Sequence, residues 1–157
     1  MDGSHTMERC EEVSEKVLVA LFEELKNAGV ALEGMVLKTN MVISGKESGQ
    51  KVSPNDIAAS TLNLFKKVLP PLLPGQAFLS GGQSEIEATQ NLNEINKLGP
   101  HPWQLTFSYG RALQDSAIKA WQGKSENVKA AQSAFLHRAK MNSLATTGKY
   151  ESFMENN

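Results

Sequence analysis

Three short apolar runs, each followed by a turn-forming stretch and then by a helical pattern, constrain this chain more than any other feature. Met35-Val36-Leu37, Ala77-Phe78-Leu79 and Trp103 to Phe107 have the length and apolar character of buried strands. A helical pattern precedes the first run, separates each from the next and follows the last. Strands that alternate with helices argue for βαβ units and a parallel sheet with right-handed crossovers. The expected order is helix, strand, helix, strand, helix, strand, helix, helix.

The helix boundaries are written in capping chemistry. Thr6 is placed to cap a helix over residues 7–28 and Gly29 to stop it, with Val13, Val17, Leu21, Leu25 and Ala28 as its inward stripe. A strand follows over Leu32 to Lys38, then a Gly- and Ser-rich loop from Ser44 to Gly49. Ser53-Pro54-Asn55-Asp56 supplies a cap, a proline at the first helical position and an acidic group for the dipole. That helix turns Ile57, Thr61, Leu62, Phe65 and Val68 inward and ends before Pro70, Pro71 and Pro74. Ser84-Glu85-Ile86-Glu87 is a capping box opening a helix to about Lys97. Helices over Ala112 to Trp121 and Glu126 to Leu144 flank a Gln122-Gly123-Lys124 turn. With no long linker, repeat or low-complexity tract, residues 1–157 read as a single α/β unit.

Composition removes several classes of function. The 16 basic and 17 acidic residues give a net charge of -1, which is no footprint for sequence-independent nucleic-acid binding. The apolar run Val17 to Phe22 is too short to cross a bilayer, and Met1-Asp2-Gly3-Ser4-His5 is too polar for a signal peptide. No membrane partner is expected. The single cysteine, Cys10, forms no internal disulfide and fits a reducing cytosol. At 157 residues the chain is also too short to close an eight-stranded (β/α) barrel, which takes about 250.

In α/β folds ligands bind where the strands end at their carboxyl termini. Two such ends carry Ser80-Gly81-Gly82 and Ser108-Tyr109-Gly110-Arg111. Glycines let the backbone approach an anion, helix-start N–H groups attract it, and Arg111 offers a planar cation. From the residues alone these are a phosphate site or two tight turns with a solvated arginine. Lys38 ends the first strand, and period-2 alternation turns it with Val36 away from Met35 and Leu37. It is either a desolvated nucleophile for a carbonyl or a lysine that snorkels to water. His5, His101 and His137 lack metal-ligand spacing, and no metal or cofactor is expected. Gly45-Lys46, Gly123-Lys124 and Gly148-Lys149 lack the P-loop spacing and read as turns. Lys129, Arg138 and Lys140 read as a solvated helix face, and Trp103 and Trp121 as packing residues.

Longer motifs then carry a resemblance. Leu32-Glu33-Gly34-Met35-Val36-Leu37-Lys38-Thr39-Asn40-Met41, Phe78-Leu79-Ser80-Gly81-Gly82-Gln83-Ser84-Glu85 and Leu105-Thr106-Phe107-Ser108-Tyr109-Gly110-Arg111-Ala112-Leu113-Gln114 closely resemble class I fructose-bisphosphate aldolase. Trp121-Gln122-Gly123-Lys124 and the stretch from His137-Arg138-Ala139 to Asn142-Ser143-Leu144-Ala145 are similar to the same family. The likeness runs from Asp2-Gly3 to about Tyr150.

The resemblance implies an α/β fold that is a partial TIM (β/α)8 barrel, the last three strands with their helices. It implies a cytoplasmic glycolytic lyase that reversibly cleaves fructose 1,6-bisphosphate to dihydroxyacetone phosphate and glyceraldehyde 3-phosphate through a lysine Schiff base, without a metal. Lys38 matches the Schiff-base lysine at the end of the sixth strand, whose protonated imine stabilises the carbanion. Ser80, Gly81 and Gly82 match the loop after the seventh strand, and Ser108, Gly110 and Arg111 the phosphate-binding loop after the eighth. Relatives are commonly tetramers, so a homo-oligomer, or pairing with the missing half-barrel, is implied. Thr39 replaces the family's proline, and the chain ends Glu155-Asn156-Asn157 where relatives carry a longer tail ending in tyrosine. The family's upstream aspartate, second lysine and proton-transferring glutamate precede the matching segment, so the chain alone is expected to be poorly active. The rival readings are a non-catalytic phosphosugar-binding module, a truncated fragment without independent function, and a Schiff-base aldolase for another phosphosugar.

Overall fold

The computed structural model describes residues 2–156; Met1 and Asn157, which belong to the terminal stretches read above, lie outside the described residues. Among those described, the order is α1 (Met7–Asn27), β1 (Val36–Thr39), α2 (Pro54–Val68), β2 (Gly75–Phe78), α3 (Glu85–Lys97), β3 (Gln104–Phe107), α4 (Arg111–Trp121) and α5 (Val128–Ala145). Single 3-10 turns occupy Leu32–Gly34, Ser125–Asn127 and Ser152–Asn156. The three strands are parallel and adjacent in chain order.

The caps work as the sequence predicts. Thr6 accepts from the Arg9 N–H, Ser53 from that of Asp56 with Pro54 at the helix start, and Ser84 and Glu87 complete a reciprocal capping box. Gly29 takes a left-handed φ of 67° just beyond α1, a conformation that glycine adopts without strain.

Register decides which face of the sheet is covered. Leu37, Gln76 and Leu105 align across the strands and are buried, as are Thr39 and Phe78 one step beyond them and two residues along. The intervening rows contain Val36, 65 % exposed, with Lys38 and Gln104 also exposed. Helices therefore coat one face and leave the other bare. A doubly wound sheet is coated on both faces, whereas a parallel sheet coated on one is an arc of a (β/α) barrel. The coated side holds the core: Phe65 of α2 stacks on Phe78 at 5.7 Å and meets Trp103 edge-on at 6.3 Å. The Trp103 indole N–H donates to the Pro70 carbonyl at 3.1 Å.

Several expectations are corrected. Leu32–Gly34 is a 3-10 turn, so the first strand is shorter and runs on to Thr39; β2 starts two residues early and excludes Leu79; β3 excludes Trp103; and α5 starts at Val128. On α1 the buried residues are Cys10, Leu18 and Phe22, while Val13 is exposed and Val17 is 60 % exposed. Trp121 is also exposed and packs into no core. Arg138 belongs to no solvated face: it is 3 % exposed and paired with Glu155 from the C-terminal turn.

Candidate active site

Three chain segments leave the carboxyl end of the sheet side by side. Lys38, the penultimate residue of β1, lies on the bare face in one row with Ala77 and Thr106. Strand spacing of about 4.8 Å puts its Cα about 5 Å from Ala77 and about 10 Å from Thr106. The lysine is exposed and makes no ion pair or hydrogen bond among the described residues. The desolvated surroundings invoked for it in the sequence argument are thus not supplied by this arc; they require a covered inner face.

The segment after β2 continues the ladder for one residue, the Leu79 N–H donating to the Thr39 carbonyl at 2.9 Å. It then reverses at Ser80-Gly81-Gly82-Gln83, closed by the Gln83 N–H to the Ser80 carbonyl at 3.0 Å. Gly81 and Gly82 hold φ of 58° and 81°, the pattern of a type I′ turn that a β-carbon would strain. Their own N–H groups make no hydrogen bond among the described residues. Ser80 is buried and the two glycines half-buried.

The segment after β3 starts in register too, with the Ser108 N–H donating to the Phe78 carbonyl at 2.8 Å. Ser108, Gly110 and Arg111 are exposed, and Arg111 opens α4 with no side chain capping that helix. Arg111 forms no ion pair among the described residues. Between these exposed groups, Tyr109 is buried, meets the Phe107 ring at a tilt with centroids 5.4 Å apart and donates its hydroxyl to the Ala88 carbonyl at 3.0 Å. Burial pushes its phenol pKa up, so it stays a neutral donor.

Helix α3 braces both loops. Asn91 donates to the Gln83 side chain at 2.6 Å, and Gln83 donates back to the Ser80 carbonyl at 2.8 Å. Glu85 accepts from the Ser116 N–H of α4 at 3.3 Å and from the Ser116 hydroxyl. Gln83, Asn91, Tyr109, Glu85 and Ser116 are positioning residues that inspection of strand ends alone does not find. Their partners lie eight to thirty-one residues away, a distance no local motif spans.

The fold defines three consecutive βα units of a (β/α)8 barrel, whose functional end is the carboxyl end of its strands. The family model described as "Fructose-bisphosphate aldolase class-I" matches residues 1–157, and the chain belongs to that family. It is 55 % identical over 150 residues to fructose-bisphosphate aldolase 2 of Plasmodium berghei, covering 96 % of this chain and 41 % of that protein. It is 56 % identical over 152 residues to the cytosolic fructose-bisphosphate aldolase 4 of Arabidopsis thaliana, covering 96 % and 39 %. A co-crystal structure of the Plasmodium falciparum aldolase with TRAP and a small-molecule inhibitor superposes with a TM-score of 0.93 at 54 % identity, over 96 % of this chain and 44 % of that one. The chain thus spans about two fifths of the length of the relatives it matches. Among the described residues no helix is long and apolar enough to cross a membrane.

Proposed function

We propose that this chain is the arc of a Schiff-base fructose-bisphosphate aldolase that holds the nucleophile and the phosphate loops. The observation that supports the reading most is register: Lys38 and the two glycine-containing loops leave the carboxyl ends of three adjacent strands. The Lys38 amine adds to the substrate ketone, water leaves, and the resulting imine, once protonated, accepts the electron pair released when the carbon–carbon bond breaks. Ser80, Gly81, Gly82, Ser108, Gly110 and Arg111 hold phosphate through free N–H groups, hydroxyls and a guanidinium. The substrate is a phosphorylated ketose, and the setting is the cytosol, as for the cytosolic relative and in keeping with the free thiol of Cys10.

Turnover is a property of the closed barrel. A general acid or base contributes about 10²- to 10⁴-fold in rate, and in the family those groups come from strands outside this stretch. The 157-residue chain alone is therefore expected to form the imine with negligible cleavage. Borohydride reduction in the presence of dihydroxyacetone phosphate, followed by peptide mass analysis, tests the lysine. Label is expected on Lys38 and absent in Lys38→Ala; label on another lysine, or undiminished labelling of the variant, rejects the assignment.

A further inference from the structure

The loop between β1 and α2 and the first turns of α3 enclose a cleft of about 570 Å³, with Gly81 and Gly82 in its wall. Lys46 and Lys51 line it together with the side-chain amides of Gln83 and Gln90. Neither lysine forms an ion pair among the described residues. The Glu87 carboxylate in the lining is committed to the Ser84 N–H at 2.8 Å.

Lys46 is brought to the glycine turn by its own loop. The Gly45 N–H donates to the His5 carbonyl at 2.9 Å, and the Glu47 N–H to the Gly3 carbonyl at 2.9 Å, so the chain is pinned on both sides of Lys46. Gly45 lies so close to the Gly3 carbonyl that a β-carbon there would clash. Held in this way, the Lys46 side chain lies over Gly82, with Cε and Nζ at 3.2 and 3.4 Å from where a β-carbon of Gly82 would stand. Asp2 Oδ1 stands 3.7 Å from the same point.

We infer that Lys46 is a further phosphate-binding residue: its ammonium pairs with the phosphoryl group received by the Gly81 and Gly82 N–H groups. The inference rests on the phosphate role proposed for the Ser80–Gly82 turn. Arg111 supplies one positive charge to a phosphate dianion held between the two loops, and a second cation completes its compensation. A lysine ammonium is a compact, mobile charge suited to closing over an anion already seated on backbone N–H groups. The Asp2 carboxylate opposes the same anion and limits its affinity.

Equilibrium dialysis of the 157-residue chain against labelled inorganic phosphate tests this. Lys46→Gln is expected to weaken binding about fivefold, the worth of one near-surface charge pair. Lys46→Arg is expected to retain most of the affinity, and Asp2→Asn to tighten it. Wild-type affinity in Lys46→Gln overturns the inference. If Gly81→Ala nevertheless loses phosphate, the turn's role stands and only that of Lys46 fails. If the wild-type chain binds no phosphate, both fail, and the Lys38 assignment is judged separately by imine trapping.

Discussion

Arg138 shows how a single residue depends on a partner from elsewhere in the chain. Its guanidinium donates to both carboxylate oxygens of Glu155, at 2.9 and 2.6 Å, and to the Thr89 hydroxyl at 3.1 Å. Glu155 also accepts from the Tyr150 hydroxyl at 2.8 Å and lies 3.3 Å from the His137 ring. Burial alone would raise the Glu155 carboxyl pKa, but the hydrogen bonds from Arg138, Tyr150 and His137 outweigh it and hold it below the usual carboxylate range. A depressed folded-state value stabilises the fold above the unfolded pKa near 4.5, and that contribution fades as pH falls through the folded value. Glu155→Gln is expected to cost about 2–4 kcal/mol at pH 7, because it leaves Arg138 buried and underpaired. In urea melts followed by circular dichroism, the gap between wild type and variant should shrink below pH 4.5; a gap that is independent of pH would count against this account. None of this was legible in the helix pattern: Arg138 occupies a position that reads as surface, and its carboxylate partner comes from a turn seventeen residues on. The placement of Lys38 and the two glycine loops at strand ends was legible because each apolar run marks where its strand stops.

At the scale of elements, Ser53-Pro54 and the Ser84–Glu87 box give helix starts from the sequence alone, since capping is settled within four residues. The inward face of α1 is not settled so locally. Its apolar residues spread over more than one side, and only Cys10, Leu18 and Phe22 are buried, because the element α1 packs on most is the single helix α2. Each apolar run overshoots its strand at one end, at Met35, Leu79 and Trp103, because apolar side chains continue into loops that pack on helices, as Trp103 does on Phe65. The central strand has an oddity that periodicity does not reveal. Gln76 is fully buried on the helix-coated face, and neither its amide nitrogen nor its oxygen has a hydrogen-bond partner among the described residues. Gln76→Met keeps the volume and removes the orphaned groups, so stability is expected to rise by about 1 kcal/mol in chemical denaturation. A loss instead would mean that the amide is satisfied.

Among the described residues the molecule is an arc that exposes apolar side chains on the bare sheet face at Val36, on α1 at Val13 and Val17, and on α4 and α5 at Ile118, Trp121, Phe135 and Leu136. Both outer strands also present open edges, so β1 and β3 are free to pair with further chain. The isolated 157-residue chain is expected to bind a hydrophobic dye and to elute from gel filtration as larger species, and adding the preceding part of the barrel should abolish both effects. A monodisperse monomer without dye binding would contradict this. One consequence follows from the bracing by α3. Because Asn91 grips one loop, Ala88 holds Tyr109 of the other, and Glu85 reaches Ser116 behind it, the two loops are hinged to a common rod. Their separation is then set by a stiff helix and not by the breathing of the sheet. Any tilt of that rod carries both loops together, so the spacing between them is held constant.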